Sequence, residues 1–449
     1  MLLHFRRWSA ADAKPYAKGV SCMSFTVHET AKASEKRVVS IPPPAGGRQS
    51  GRRICMVVYA FYENDTRVMQ YADALVERGD HVDVIALRRG WLPEYEVLGG
   101  VHVHRIQSRT VNEKGVFAYA SRILRFTLAA ARRLRRLERE HGYDLIHVHN
   151  VPDTLVFAAA YPKWKRVPII LDIHDPLPEL FASKFRIQGT SRAFRLLTWM
   201  ERVSAAFATH IIVANDLWCE RLAARSSRPE KCSVVRNRPD LSIFRGSVGQ
   251  RTKPADKFLM TYPGSLNWHQ GLDVAIAAFA KVADQMVDAE FHIYGEGAAK
   301  PSLMELVKNL RLEDRIIFHD MLPSRDVAEV MAMTDLAIEL KRSISTFGNE
   351  ALSTKILEFM CLGVPVIASR TAIHQYYYDD SIIQYYSNDD ADELATQMLR
   401  LKNDPARRTA MAARAKRYAD ANTWDARKGE YLERVDMLVG AAKDSSVRK

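Results

Sequence analysis

Cysteine is scarce in this sequence, and the few cysteines are scattered. Its 449 residues contain five, none of them in a C-x-x-C pair. Structural zinc sites and disulfide scaffolds need clustered cysteines, so both classes are excluded. Free, dispersed thiols are typical of a reducing compartment, and we interpret the protein as cytoplasmic.

Long apolar runs are also missing. No segment approaches the roughly 18 to 20 apolar residues that a membrane-spanning helix needs. The first residues, MLLHFRRWSAADAK, place arginines inside a short apolar start and lack the apolar core of a signal peptide. We therefore expect neither a transmembrane span nor a secretion leader.

Two binding motifs are absent as well. The stretch AFYENDT, which follows the first predicted strand, contains no glycine, and this excludes the G-x-G-x-x-G fingerprint of a nicotinamide-dependent oxidoreductase. No Asp-x-Asp-type acidic cluster occurs in a plausible donor loop, since Asp389 and Asp390 follow a late polar turn. We expect no metal requirement and no cofactor.

The net charge of +12 is concentrated at the beginning of the chain. Residues 1–52 carry nine Lys or Arg against three acids, and they end in IPPPAGGRQSGR. Such a composition cannot bury a core, so we predict a disordered basic extension. A basic tail raises the question of nucleic acid, but no aromatic-interleaved basic platform or groove-reading motif accompanies it. We expect no nucleic-acid partner.

From residue 53 the chain alternates apolar strands with helical segments, a pattern that indicates βαβ units and parallel sheets. The chain is too long for one ordinary core. We predict an α/β protein with two doubly wound domains, at 53–245 and 256–419, and a helix at about 420–440 that completes the first domain. Two such sheets imply a ligand cleft between their carboxyl ends.

The most informative segment runs from Gly348 to Ser369 and reads GNEALSTKILEFMCLGVPVIAS. Ser353 is a candidate N-cap for a helix that Gly363 terminates. The free N–H groups at the start of that helix suit a diphosphate. Glu350, on the preceding loop, can reach sugar hydroxyls, whereas Glu358, within the helix, can accept two hydrogen bonds from a ribose diol.

These residues resemble the nucleotide-sugar signature of the family 4 glycosyltransferases, which have the GT-B fold. The resemblance covers almost the whole chain after residue 53. It includes DLIHVHNVPDTL, LDIHDPLPELF and VVRNRPDLSIF in the first half, and YPGSLNWHQG, FHIYGEG and RIIFHDMLPSRDVAEVMAMTDLAI in the second. The order and spacing of these landmarks make the match specific.

The resemblance implies roles for individual residues. Glu358 would hold the donor ribose, Glu350 the donor sugar, and His149 would lie at the reaction centre near the acceptor. Further donor-binding positions are implied at Gly264, Ser265, Gly295, Leu352 and Ser353. His147 and His174 also end apolar strands, and they stay as alternatives to His149.

The sequence departs from the family pattern where two cations normally contact the donor diphosphate. Those positions hold Ser265 and Gln270. A diphosphate in a water-poor cleft needs charge compensation. We hypothesise that Lys341, Arg342 and Lys355 supply it, and further candidates are Arg236 and Arg238.

The helix predicted around VFAYASRILRFTLAAARRLRRLEREHG indicates a partner. Its arginines share one face, and its apolar residues share the other. An ordinary surface helix has the same pattern, but the arginines would also suit anionic lipid headgroups. We predict peripheral contact with the inner face of a membrane, where a lipid-linked or growing surface polysaccharide is the acceptor. The arginines of this face are Arg122, Arg125, Arg132, Arg133, Arg136 and Arg139.

The expected reaction is sugar transfer from a nucleoside diphosphate sugar to a hydroxyl of a saccharide or lipid-linked acceptor, with retained anomeric configuration. Two alternatives stay open. One is a glycosyltransferase-like binding protein without turnover, motivated by Ser265 and Gln270. The other is a sugar-nucleotide epimerase, which shares the GT-B architecture.

Overall fold

The computed structural model describes residues 51–109, 116–185, 189, 191–240, 243–244, 252–343 and 346–447. Apart from its last two residues, the predicted basic extension at 1–52 lies outside the described residues.

The first half of the chain forms an eight-stranded sheet in the order β3-β4-β2-β1-β5-β6-β7-β8. Every neighbouring pair is parallel except β3 with β4, which is antiparallel. The strands are β1 (Arg53–Val58), β2 (His81–Arg88), β3 (Tyr95–Leu98), β4 (Val101–Ser108), β5 (Leu145–His149), β6 (Ile169–Ile173), β7 (His210–Val213) and β8 (Cys232–Val234).

Helices cover both faces of this sheet, because the strands are apolar on both sides. Ile54, Met56 and Val58 of β1 enter one core cluster, whereas Cys55 and Val57 enter the other. The helices are α1 (Thr66–Glu77), α2 (Val116–His141), α3 (Ala160–Trp164), α4 (Leu177–Phe185), α5 (Arg192–Phe207) and α6 (Asp216–Ser226), with a 3₁₀ segment at Asp153–Ala159.

The second half forms a six-stranded sheet in the order β11-β10-β9-β12-β13-β14, with parallel pairing throughout. Its strands are β9 (Phe258–Pro263), β10 (Ala289–Tyr294), β11 (Ile316–His319), β12 (Leu336–Glu339), β13 (Val366–Ser369) and β14 (Gln384–Tyr386). Its helices are α7 (Leu272–Val282), α8 (Lys300–Asn309), α9 (Ser324–Ala332), α10 (Thr346–Glu350), α11 (Thr354–Cys361), α12 (Ala372–Tyr377), α13 (Ala391–Asn403) and α14 (Pro405–Ala421). Two doubly wound parallel sheets confirm the predicted fold class.

The helical region from Pro405 onward consists of two helices. It breaks after Ala421, and α15 (Trp424–Val447) then returns to the first half. Tyr431 and Val435 of α15 are fully buried in the core formed by β1 and α1. Two arginines of the first half stabilise the break between the two helices. Arg238 donates to the carbonyl of Asn422 at 2.9 Å, and Arg236 donates to the Asn422 side chain.

One local prediction around the signature segment was wrong, and a second was confirmed only for the position of the residue. Glu350 ends a short helix, α10, rather than lying on a loop. Ser353 occupies the N-cap position of α11, but its side chain makes no capping hydrogen bond. The first N–H groups of α11 are therefore not satisfied by their own cap.

Candidate active site

Parallel strands place their carboxyl ends at one edge of a sheet. Strands β5 and β12 end in ionisable side chains, and β6 carries one at its penultimate position. The two halves meet at these edges, since α10 of the second half packs on α4 of the first. Asn215, which follows β7, donates to the carbonyl of Glu350 at 3.0 Å. The candidate site lies along this junction.

The first half contributes what we call the Asp172 cluster, formed by Asp172, Arg67, His149 and His174. Asp172, in β6, is completely buried. Arg67 Nη2 and Nε lie 2.7 and 2.8 Å from its two oxygens. His149 Nδ1 and His174 Nε2 lie 3.1 and 2.9 Å from Asp172 Oδ2. One carboxylate thus organises a guanidinium and two imidazoles.

The charges in this cluster follow from that geometry. Burial alone would raise the pKa of Asp172, but Arg67 and His174 hold the pKa well below its usual range. Burial lowers the pKa of His149, so its ring is neutral near pH 7. Burial also disfavours the charged form of His174, yet attraction to Asp172 outweighs it and raises the pKa.

The three candidate histidines have different positions. His147 is fully buried, and its Nδ1 lies 3.0 Å from the hydroxyl of Tyr431 in α15, which indicates a packing role. His149 is also fully buried, and its Nε2 has no hydrogen-bond partner. The side chain of His174 is 17% exposed and is the only one of the three that reaches the surface. A ligand would therefore meet His174 first, with His149 behind it.

A metal ion is poorly suited to this cluster. His147, His149 and Asp172 do present ligand atoms within 4.8 Å of one another. The guanidinium of Arg67, however, already occupies both carboxylate oxygens. A cation there would face a buried positive charge at close range.

The second half contributes the Glu339 cluster, formed by Glu339, Lys355, Tyr262, Lys341 and Glu358. Glu339 ends β12 and is fully buried, and Lys355 Nζ of α11 lies 2.9 Å from its Oε2. The same ammonium lies 3.3 Å from Tyr262 OH and 4.3 Å from the centre of the Tyr262 ring. Burial opposes the charge on Lys355, but Glu339 outweighs it and raises the pKa.

Lys341 and Glu358 border this ion pair. Burial lowers the pKa of Lys341 to about 8, and its ammonium donates to the carbonyl of Ala351 at 2.6 Å. Burial raises the pKa of Glu358 to about 7. Strongly shifted groups gathered at a strand edge are typical of a functional site.

Two glycines border the Glu339 cluster at positions where a side chain would not fit. Gly264 has φ +153°, and a Cβ there would lie 3.0 Å from Lys355 Nζ. Gly295 has φ +145°, and a Cβ there would lie 1.9 Å from the carbonyl oxygen of Gly264. Side chains at these positions would separate the two loops or displace the ammonium. Lys355 thus places a cation beside Gly264 and Ser265, where the family pattern has an arginine.

The other predicted cations are engaged elsewhere. Arg342 pairs with Asp273 at 2.6 Å and with Asp389 at 3.0 Å, and it stacks 3.9 Å above the ring of Trp268. Arg236 and Arg238 hold the break between α14 and α15, although they also line a small recess with Leu352 and Ser353. The side-chain amide of Gln270 lies 3.5 Å from Ser265 Oγ and 3.3 Å from His269 Nε2. Lys341 and Lys355 are the cations that the fold brings to the Glu339 cluster among the described residues.

The side chain of Glu350 contacts the first half of the chain. Its carboxylate accepts two hydrogen bonds from Arg221 of α6, one of them 3.0 Å long between Nε and Oε2. Four residues of these clusters were not predicted from the sequence: Arg221, Arg67, Asp172 and Glu339. For the two acids a usable signal existed, since LDI and LAIE each end or nearly end a buried strand with a carboxylate.

Comparison with solved structures defines the class of fold. The chain is similar to sucrose-phosphate synthase from Thermosynechococcus elongatus, with a TM-score of 0.71 and 17% identity over 87% of this chain and 100% of that chain. It is also similar to Anabaena HepE, solved in complex with UDP and glucose, with a TM-score of 0.59 and 16% identity over 89% and 100%. The fold is that of the GT-B glycosyltransferases.

Family models identify the chain further. Residues 65–238 match the glycosyl transferase 4-like domain, and residues 247–418 match glycosyl transferases group 1. The protein belongs to the family 4 glycosyltransferases and is a glycosyltransferase. It is 25% identical to D-inositol 3-phosphate glycosyltransferase of Thermomonospora curvata over 393 residues, which is 82% of this chain and 88% of the relative.

In the part of the chain that the structure describes, no helix has both the length and the apolar character needed to cross a bilayer.

Proposed function

We propose that this enzyme transfers a sugar from a nucleoside diphosphate sugar to a hydroxyl acceptor with retention of configuration. The observation that carries the proposal is the Lys355 ammonium, held beside Gly264 at the start of α11. A fixed cation and the helix N–H groups that Ser353 does not cap together form a site for a diphosphate. The relative solved with UDP and glucose supports the same class of donor.

The proposed donor extends from this site in two directions. Glu358, four residues into α11, is placed to accept hydrogen bonds from the ribose, and Glu350 is placed to contact the sugar. The acceptor hydroxyl then approaches from the Asp172 cluster and attacks the anomeric carbon on the face that the diphosphate leaves. The anomeric carbon–oxygen bond breaks, the diphosphate departs with its electron pair, and its departing oxygen takes up the proton of the acceptor hydroxyl.

Catalysis in this proposal depends on position and charge rather than on a protein nucleophile. Lys355 and Lys341 stabilise the charge that develops on the departing diphosphate. His149 and His174, oriented by Asp172, border the acceptor hydroxyl. We propose that no metal takes part, because the chain itself supplies two cations at the phosphate position.

Nucleotide binding tests the donor site. In a thermal unfolding experiment with EDTA present, one of UDP, GDP, ADP or CMP should stabilise the full chain by about 2.7 kcal/mol at about one hundred times its dissociation constant. Glu358→Ala should abolish the shift, because the ribose loses its acceptor. Glu305→Ala, on the exposed surface of α8, is the matched control and should keep the shift. No response to any nucleotide would contradict the proposed donor.

We further propose that the acceptor is lipid-linked and that α2 and α5 face an anionic membrane. Phe126, Ala130 and Leu134 of α2 are buried, which leaves its arginines outward. Arg122 and Arg133 are the exceptions on the predicted face, because both are half-buried, and Arg133 Nη2 lies 2.7 Å from His104 Nδ1. Both α2 and α5 pack on Asp153–Ala159.

The outer surface of these helices combines arginines with exposed apolar side chains. Leu124 of α2 is 59% exposed, and Leu196 and Trp199 of α5 are 56% and 60% exposed. Arginines beside exposed Leu and Trp are typical of helices that lie in a membrane interface. The exposed arginines are Arg125, Arg132, Arg135, Arg136 and Arg139 on α2, and Arg192, Arg195 and Arg202 on α5.

Vesicle sedimentation tests this surface. Each arginine near an anionic membrane contributes about 1 kcal/mol, so Arg125→Ala with Arg132→Ala should weaken binding to phosphatidylglycerol-containing vesicles about 30-fold. Arg400→Ala, exposed on α13, should have no effect. Sedimentation that does not depend on the anionic lipid would disprove the membrane proposal.

A further inference from the structure

Helix α10 belongs to the second half of the chain but packs against the first. The ring of Phe347 stacks on Trp218 of α6, with centroids 5.6 Å apart and an angle of 23° between the planes. Ala351, just after α10, is buried in the core of the first half. The segment that carries Glu350 is therefore held in place by contacts with the opposite domain.

Helix α6 holds Glu350 at both its side chain and its backbone. Arg221 binds the carboxylate with two nitrogens, with Nε 3.0 Å from Oε2. Asn215, the N-cap residue of α6, donates to the carbonyl of Glu350 at 3.0 Å and accepts from the N–H of Trp218 at 2.9 Å. Both anchors of Glu350 thus belong to α6, one at its N-cap and one in its middle turn.

A bidentate guanidinium fixes the orientation of a carboxylate but leaves some of its hydrogen-bond acceptor capacity unused. Each carboxylate oxygen has two lone pairs, and a parallel Arg pair uses one on each oxygen. The second lone pairs can still accept from hydroxyl groups. The Glu350 side chain is 12% exposed and that of Arg221 is 39% exposed, so both lie at the surface of the junction.

We propose that Arg221 is a positioning residue through which the first domain completes the donor-sugar subsite of the second. Arg221 holds the Glu350 carboxylate in one orientation, and the sugar hydroxyls donate to its outer lone pairs. The inference rests on the proposed function. As a consequence, contact between the two domains should strengthen binding of the donor sugar but not binding of the nucleotide.

The test compares the affinities for a nucleotide sugar and for its free diphosphate. Dissociation constants are measured for three pairs of ligands: UDP and UDP-glucose, GDP and GDP-mannose, and ADP and ADP-glucose. The gain from the sugar is the factor by which the nucleotide sugar binds more tightly than its free diphosphate, and the pair with the largest gain is used. Arg221→Ala should reduce the ratio of nucleotide-sugar affinity to free-diphosphate affinity about 10-fold, which corresponds to the loss of one well-oriented hydrogen bond to a charged group. The affinity for the free diphosphate should change less than 2-fold. Arg221→Lys, with a single point charge, should recover only part of the gain.

Two further variants make the result specific. Glu350→Gln should lose the same gain, and the double variant Arg221→Ala with Glu350→Gln should lose no more than either single variant, because both act through one carboxylate. Arg228→Ala, exposed just after α6, is the control and should behave as the unmodified protein. A purely structural role for Arg221 would weaken the diphosphate and the nucleotide sugar equally.

The outcomes separate this inference from the donor proposal. If the unmodified protein binds both ligands but Arg221→Ala keeps the full gain from the sugar, Arg221 does not position Glu350 and the inference is overturned alone. If the unmodified protein binds no diphosphate in the panel, the donor proposal and this inference both fall.

Discussion

Replacing Lys355 by Met should destabilise the protein by about 3–5 kcal/mol and abolish nucleotide binding. The ammonium lies 2.9 Å from the fully buried carboxylate of Glu339, and removing it leaves that carboxylate without its counter-charge. The free energy of unfolding is measured by urea denaturation, and binding is measured by nucleotide titration. Lys308→Met, exposed on α8, should change stability by less than about 0.5 kcal/mol.

A double variant separates the structural role of Lys355 from its proposed role in binding. Lys355→Met with Glu339→Gln removes both charges, so most of the lost stability should return. Nucleotide affinity should not return, because the cation beside Gly264 is still missing. Recovery of binding in the double variant would show that Lys355 stabilises the fold without contacting the diphosphate.

Replacing Arg67 by Met should have a comparable effect in the first domain. Asp172 would lose a bidentate partner while staying completely buried, at a cost of about 3–5 kcal/mol near neutral pH. The rate of sugar transfer should fall about 100-fold. Arg67 no longer fixes the carboxylate of Asp172, and the positions of the His149 and His174 rings depend on that carboxylate. Arg400→Met, exposed on α13, is the matched control.

The pH dependence of the Arg67→Met variant follows from linkage. In the unmodified protein the pKa of folded Asp172 lies below its unfolded value, so its stabilisation is present above the unfolded pKa and is lost only in strong acid. Without Arg67, burial raises the folded pKa above the unfolded one. The stability deficit should therefore shrink as the pH falls from 7.5 to about 5. A deficit that does not depend on pH would contradict this assignment of charge.

The local pattern of the sequence was sufficient for the architecture. Strands such as ICMVV and LIHVH are buried on both faces, and this pattern, repeated between helical segments, is typical of parallel strands covered by helices on two sides. Gly363, with φ +72°, ends α11 as its position predicted. These features depend on a residue and its near neighbours, so they can be recognised without knowledge of the fold.

Partners distant in sequence were not predictable in the same way. Arg67 and Asp172 are 105 positions apart, and Arg221 and Glu350 are 129 apart. A single sequence shows that such residues end a strand or begin a helix, but not which of the many charges at one edge will meet. Arg342 illustrates the difficulty, because it is adjacent to Lys341 and yet pairs with Asp273 and Asp389.

The sequence by itself determined the two-domain α/β architecture and the glycosyltransferase family, because hydrophobic periodicity and motif order are local properties of the chain. The tertiary structure alone decided that Lys355 is paired with Glu339, that His174 rather than His149 reaches the surface, and that Glu350 is held by the opposite domain. The physical reason is that burial and ion pairing depend on which strand ends and helix starts meet in the folded chain, and some of these partners lie more than a hundred residues apart in the sequence.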